Sequence, residues 1–221
     1  MSALAAKRPG EPRWHRRAAA RPEEILRAAL QEFGVAGYER ARLADIARRA
    51  GVSKATLYLY FDSKAALFRA MIRAETQAWL SPEDAAAGFF PDSAEKKLQR
   101  FLRDMWAALR RPEMVRVTRL AHAELVGFPE LTRFYFDEVI LRIRQRLEGV
   151  LAAGRARGEF RAVRHDFALH AVPSFLLHQS LLREGFTEFA AHSLSDQEFL
   201  EGSMDLLLQG IARRGTRTAA E

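Results

Sequence analysis

The chain has 221 residues, 48% hydrophobic and 29% charged, which supplies apolar surface for a sizeable core and excludes disorder throughout. No run approaches the roughly 18 to 20 consecutive apolar residues of a membrane span, and zero cysteines exclude disulfides, iron–sulfur clusters, thiolate zinc sites and cysteine nucleophiles. The net charge of +7 is uneven, with 13 basic and 7 acidic residues up to Lys64 but 22 and 21 beyond it. A basic end on a nearly neutral body suits a polyanion, because neutralised phosphates release counterions; an anionic membrane surface and simple solubilisation are the competing readings of charge alone.

In chain order, residues 1–20 carry Pro9, Gly10 and Pro12 without apolar periodicity and predict a flexible basic arm. Arg16 and Arg17, with Arg21 beside them, read either as a solubility tail or as an arm reaching phosphates or an AT-rich minor groove. Lys7, Arg8 and Pro9 cut short the apolar stretch at 3–6, so secretion is not expected. Glu11 and two prolines spoil a transit helix, and the cytoplasm is the expected compartment.

Pro22 in a first turn, Glu23 and Glu24 at the positive end of the dipole, and Ile25, Leu26, Ala29, Leu30 and Phe33 at helical spacing predict a helix ended by Gly34 and Gly37. Leu43, Ile46, Ala47 and Ala50 predict a short second helix stopped by Gly51. Ser53 caps a third over Leu57 and Phe61, and Asp62 or Ser63 a fourth that runs to about Trp79. A break at 81–93 precedes helices over 94–109, 113–126, 130–153, 166–184 and 195–213, with Asp166 and Asp196 as caps. No segment alternates with period two, so the predicted fold class is all-α.

The first helices carry the chemistry. Packed through Phe33, Ile46, Ala47, Ala50, Val52, Leu57 and Phe61, they form a helix-turn-helix candidate whose second, exposed helix spans 54–61. Gly51 supplies positive φ in the turn, Val52 plugs the angle and Ser53 caps the next helix. Leu57 and Phe61 face inward, so Ala55 and Leu59 face out, flanked by Lys54, Thr56, Tyr58 and Tyr60, side chains suited to phosphates and base edges. The competing reading is a small structural hairpin with half-exposed tyrosines; with the charge distribution, double-stranded DNA is the favoured partner.

These residues resemble the DNA-binding domain of the TetR family of bacterial transcriptional regulators. The resemblance runs over 22–68 and rests on Phe33 with Gly37-Tyr38, Asp45-Ile46-Ala47, Ala50-Gly51-Val52-Ser53, Thr56-Leu57-Tyr58, Tyr60-Phe61 and Ser63-Lys64 with Leu67. The stretch 124–161, with Phe128-Pro129-Glu130-Leu131 and Arg157-Gly158-Glu159-Phe160, is similar to a variant of the family's regulatory domain. The resemblance implies an N-terminal DNA-binding domain over 21–66 and a helical ligand-binding and dimerisation domain over 67–215, with a short tail at 216–221. It also implies a homodimer on a palindromic operator, released when a small-molecule effector binds. It assigns DNA contacts to Lys54, Ala55, Thr56, Tyr58 and Tyr60 and a phosphate contact to Lys64. Where the family has Thr or Ser opening the second helix, this chain has Ala41-Arg42; Arg42 is the substitute phosphate contact.

In the second domain Trp79, Phe101, Met105, Trp106, Phe134, Tyr135 and Phe175 lie at helical spacings, where core is the default reading. The company of His122, His170, His178 and Gln179 on apolar helices raises a ligand pocket, lined by Trp79, Phe101, Met105, Trp106, His122, Phe134, Phe175, His178 and Gln179 and suited to an apolar or aromatic effector. His170 and His178 are too far apart along a helix to share a metal ion. No nucleophile elbow, phosphate loop or zinc-protease motif appears, so neither an enzyme nor a cofactor is expected. The helices over 166–184 and 195–213 are apolar on more than one face, which predicts an isologous four-helix dimer interface, and Pro173 is expected to kink the first of them.

Overall fold

The computed structural model describes residues 13–80, 93–161, 165–185 and 194–211, all in helices or their connections, with no strand among them. The expectations for 1–12, the break at 81–92, the Asp166 cap, the side chains of Arg16, Arg17 and Arg21, and the tail lie outside the described residues. The chain divides into two compact units, one to Met71 and one from Ile72.

The first unit opens with α1, Arg13–Arg40, and here the expected flexible segment is corrected: the backbone is already helical from Arg13 and passes through Pro22. Proline inside a helix forfeits one hydrogen bond, and the Ala-rich turn before it has high helix propensity. Gly34 does not end the helix either. The break comes at Gly37, whose φ of 80° and ψ of 166° interrupt an otherwise helical path to Arg40. Beyond that break Tyr38 lies buried, stacked on Phe33 at 5.6 Å, with Phe68 edge-on to both at 5.5 and 5.1 Å. Ile25, Ala29 and Leu30 of α1, Ile46 and Ala47 of α2 (Leu43–Arg49), Leu57 of α3 (Lys54–Tyr60) and Leu67 and Met71 of α4 (Lys64–Leu80) complete this core.

In the second unit α5, Ala94–Leu109, buries Leu98, Phe101, Leu102, Met105, Trp106 and Leu109 along one stripe that faces the neighbouring helices. The partners of α5 are α6 (Pro112–Glu124), α8 (Leu141–Ala156), α9 (His165–Gly185) and α10 (Asp196–Ile211). A 3-10 turn, Leu125–Gly127, leads into α7, Pro129–Tyr135, which continues through a π turn, Phe136–Ile140, into α8. The helix expected over 130–153 is this composite. α9 runs without interruption through Pro173.

Both ends of α5 are tied down. At its start Ser93 accepts from the Lys96 N–H at 3.3 Å, and the Glu159 carboxylate accepts from the Ala94 N–H at 2.6 Å. These satisfy orphan donors and place negative charge at the positive end of the dipole. The Glu159 loop holds its shape because Gly158 adopts φ 70° and Phe160 folds back onto Gly154, where no Cβ intervenes. At the other end the buried Ser180 hydroxyl donates to the Leu109 carbonyl at 2.9 Å. Asp196 accepts from Arg110 at 3.1 Å and Arg183 at 2.7 Å, so the expected cap role of Asp196 is corrected. Ser195 caps α10 instead, accepting from the Glu198 N–H at 3.2 Å while the Glu198 carboxylate accepts from the Ser195 N–H at 2.8 Å, a reciprocal capping box.

Gly154→Ala drives a methyl into the Phe160 ring, so the expected outcome is a loss of about 1–3 kcal/mol of stability. Urea unfolding followed by circular dichroism reads it; an unchanged midpoint shows that the ring is not wedged.

Candidate functional site

Ser53 accepts from the Thr56 N–H at 3.0 Å and starts α3, and the two hydroxyls lie 2.8 Å apart. Gly51 has φ 67°, the left-handed turn its sequence position requires. With Leu57 fully buried beneath it, α3 presents Lys54, Ala55, Tyr58, Leu59 and Tyr60 to solvent. Leu59 is 82% exposed, unusual for a leucine and uninformative for packing, and Tyr58 is 44% exposed with the Lys54 ammonium 5.8 Å from its ring. Thr56 is half-buried against its cap. Arg42 is exposed at the N-cap of α2 without making a side-chain cap, and Asp45 pairs with Arg48 at 2.8 Å rather than with the helix start.

Lys64 is placed otherwise than expected. Its ammonium donates to the carbonyls of Tyr38 and Glu39 at 2.8 Å and of Ala41 at 3.2 Å, and sits 4.7 Å from the Tyr38 ring centre. A lysine has three N–H donors, and all three are committed to the negative end of α1. The phosphate contact is therefore corrected to an internal clamp: this residue fixes the exit of α1 against the start of α4.

The second unit contains a cavity of about 120 Å³ between α4, α5, α6, the π turn, α8 and α9. Trp79, Met105 and His170 line it. The remaining expected wall residues do not. Phe101 and Trp106 are buried in the α5 core, Trp106 on Phe199 at 4.9 Å. Phe134 lies under the Arg73 guanidinium, and Phe175 stacks on Phe199 with 44% of its surface exposed. His122 is exposed and its Nδ1 bonds back to the Thr118 carbonyl; His178 is exposed and Gln179 half-buried. A histidine among apolar neighbours in sequence turns outward when its helix position lies off the buried stripe.

The wall instead includes Thr118, Tyr135 and Arg144. Burial pushes the Tyr135 phenol up to about 12, opposed by a hydrogen bond with the Thr118 side chain. Arg144 Nη1 donates to His170 Nε2 at 2.8 Å; a guanidinium accepts nothing, so this histidine nitrogen is the unprotonated one. The Trp79 indole N–H is buried and has no acceptor among the described residues.

A helix-turn-helix head followed by an all-helical unit with an internal cavity is the architecture of helical transcriptional regulators. Residues 25–71 match the bacterial regulatory proteins of the tetR family, and residues 96–199 match the AefR-like transcriptional repressor C-terminal domain. The chain belongs to the TetR family. Among its relatives, the HTH-type transcriptional regulator RutR of Escherichia coli K12 is 42% identical over 86 residues, which is 38% of this chain and 41% of RutR; the chain thus matches less than half of that relative's length. Solved structures share the fold at lower identity. FadR of Bacillus subtilis, in complex with stearoyl-CoA, superposes with a TM-score of 0.69 at 18% identity, covering 85% of this chain and 98% of FadR. A protein of Saccharomonospora viridis, in complex with choline, gives 0.72 at 20% identity, covering 89% and 100%.

Two measurements check this geometry. Lys64→Met should lower stability by about 1–2 kcal/mol, since it leaves three carbonyls at a helix end without their cation; a urea midpoint equal to that of the parent chain contradicts the clamp. Tyr135 holds its proton more tightly folded than unfolded, so its contribution is complete below pH 10 and is lost as pH rises from 10 towards 12. Stability should fall by about 2–3 kcal/mol across that window, and Tyr135→Phe should flatten the fall; identical alkaline profiles for the two proteins contradict it.

Proposed function

We propose that this protein is a ligand-responsive transcriptional repressor that binds a palindromic operator as a homodimer and leaves it when a small molecule occupies the cavity. The observation that carries the reading is α3: a capped helix anchored by buried Leu57, with Lys54, Ala55, Tyr58, Leu59 and Tyr60 outward and no packing reason for their exposure. Inserted into a major groove, Tyr58 and Tyr60 reach phosphates and base edges while Leu59 and Ala55 supply apolar contact to thymine methyl groups. Thr56 and Lys54 stand at the leading end, and Arg42 supplies a phosphate contact at the start of α2. Such a protein works in the cytoplasm, where its operator is.

The homodimer is supported by α9 and α10, which bury Leu169, Val172, Leu176, Phe199 and Met204 within the protomer while leaving Phe167, Phe175 and Leu206 exposed. Apolar side chains on the outer faces of two neighbouring long helices suit a four-helix interface with a second copy. Effector control runs through α4, a single helix with Lys64 at its head and Trp79, a cavity residue, near its end. A hundredfold loss of operator affinity requires about 2.7 kcal/mol of difference in effector binding between the two arrangements.

Selection from a random DNA pool with the purified chain tests the reading. The expected result is a common palindrome, with Tyr58→Ala binding it at least about tenfold more weakly. Lys64→Met should leave the slope of affinity against salt unchanged, since its ammonium neutralises no phosphate. Recovery of no common sequence, with binding to anionic vesicles instead, overturns the proposal in favour of a membrane-surface protein.

A further inference from the structure

The cavity is more specific than an apolar pocket. Its polar side chains are Thr118, Tyr135, Arg144, His170 and Ser174, and there is no carboxylate among the described residues of its wall. The apolar remainder includes Leu109, Met114, Val139, Ile143 and Leu177. The charge on the described wall is therefore positive, supplied by Arg144. The Trp79 side chain lines the space, but its indole N–H is sealed from it and has no acceptor among the described residues. Trp106 has the same lack but is not part of the wall.

From this donor-rich wall, with no carboxylate among its described residues, we infer that the effector is a compact apolar carboxylate, such as a single-ring or short branched-chain acid, whose anion pairs with Arg144. This names the chemistry of the effector and so rests on the regulator reading above. A guanidinium binds a carboxylate through paired N–H donors, and Arg144 commits one N–H to His170, an arrangement that orients the group. Tyr135 keeps its proton throughout the neutral range and so joins the donors rather than repelling an anion. The cavity, about 120 Å³, is partly open, with exposed His170 and half-buried Arg144 in its wall, so it takes the apolar body of a small acid with the carboxylate towards the mouth. The π turn supports a binding role for the same place, since it supplies Val139 and Ile140 to the wall and π turns recur at functional sites.

The test uses the full chain and calorimetric titration with three carboxylates (benzoate, 3-methylbutanoate and hexanoate) against benzamide and benzylamine. At least one carboxylate should bind, and benzamide and benzylamine should bind at least about tenfold more weakly than benzoate if benzoate is that ligand, or than the best acid otherwise. Arg144→Gln should weaken the best acid by at least about tenfold. Binding of no acid, equal binding of benzamide or benzylamine, or an acid affinity unchanged in Arg144→Gln overturns the inference. Operator release is read separately. An acid that binds with these dependences but does not displace DNA retains the ligand class and defeats the regulatory reading; a selected operator with no acid binding does the reverse.

Discussion

Three carbonyl oxygens at the end of α1 share one ammonium, that of Lys64, and the geometry of the DNA-binding head depends on the arrangement. The break at Gly37 would otherwise leave the last turn of α1 with unpaired acceptors beside a buried aromatic cluster. Lys64 resolves this by entering from the opposite end of the unit's sequence, its charge set against the helix dipole and the face of Tyr38. The ring of Tyr38 in turn rests on Phe33 and Phe68, which join α1 to α4. What α3 presents to solvent is thus positioned by buried Leu57 and by the Ser53 cap on Thr56.

The second unit is organised on a different basis, around α5. Its start is closed by a carboxylate supplied from the loop after α8 and its end by a serine from α9, so a helix with four neighbours is also capped by two of them. The Arg157-Gly158-Glu159-Phe160 segment thereby acquires a role in which each residue type is accounted for: glycine for the turn, glutamate for the cap, phenylalanine to press the loop onto Gly154.

Much of this was legible in the sequence because it follows from local chemistry. The bounds of α5 come from Ser93 and a clean apolar stripe, and the Gly51 turn and the Ser53 cap are set by residues within four positions of one another. What was not legible depends on distant partners. A lysine after a serine reads the same whether it faces a phosphate or the carbonyls of residues more than twenty positions earlier. A cavity is volume left unfilled, which no residue announces. Trp79 and Met105 lie on its wall while Phe101 and Trp106, equally aromatic or apolar and equally spaced, lie in the core. Arg144 and Thr118 carried no signal, since an arginine on a charged helix and a threonine on an apolar one are ordinary. Pro22 misled in the other direction, its position in α1 being tolerated by the helix around it.

The π turn between α7 and α8 holds one residue more than an α-helix of the same rise. In genetic terms it is a single-codon insertion carried inside a helix. Each residue added to an α-helix rotates everything after it by about 100°, and the π turn absorbs that rotation within one turn. Loss of one residue from Phe136–Ile140 would therefore convert the turn to ordinary α-helix and leave Ile143, Leu147 and Leu151 on the same buried face. The segment is a register device: it carries one residue more than an α-helix would without moving the buried stripe of α8 off the interior.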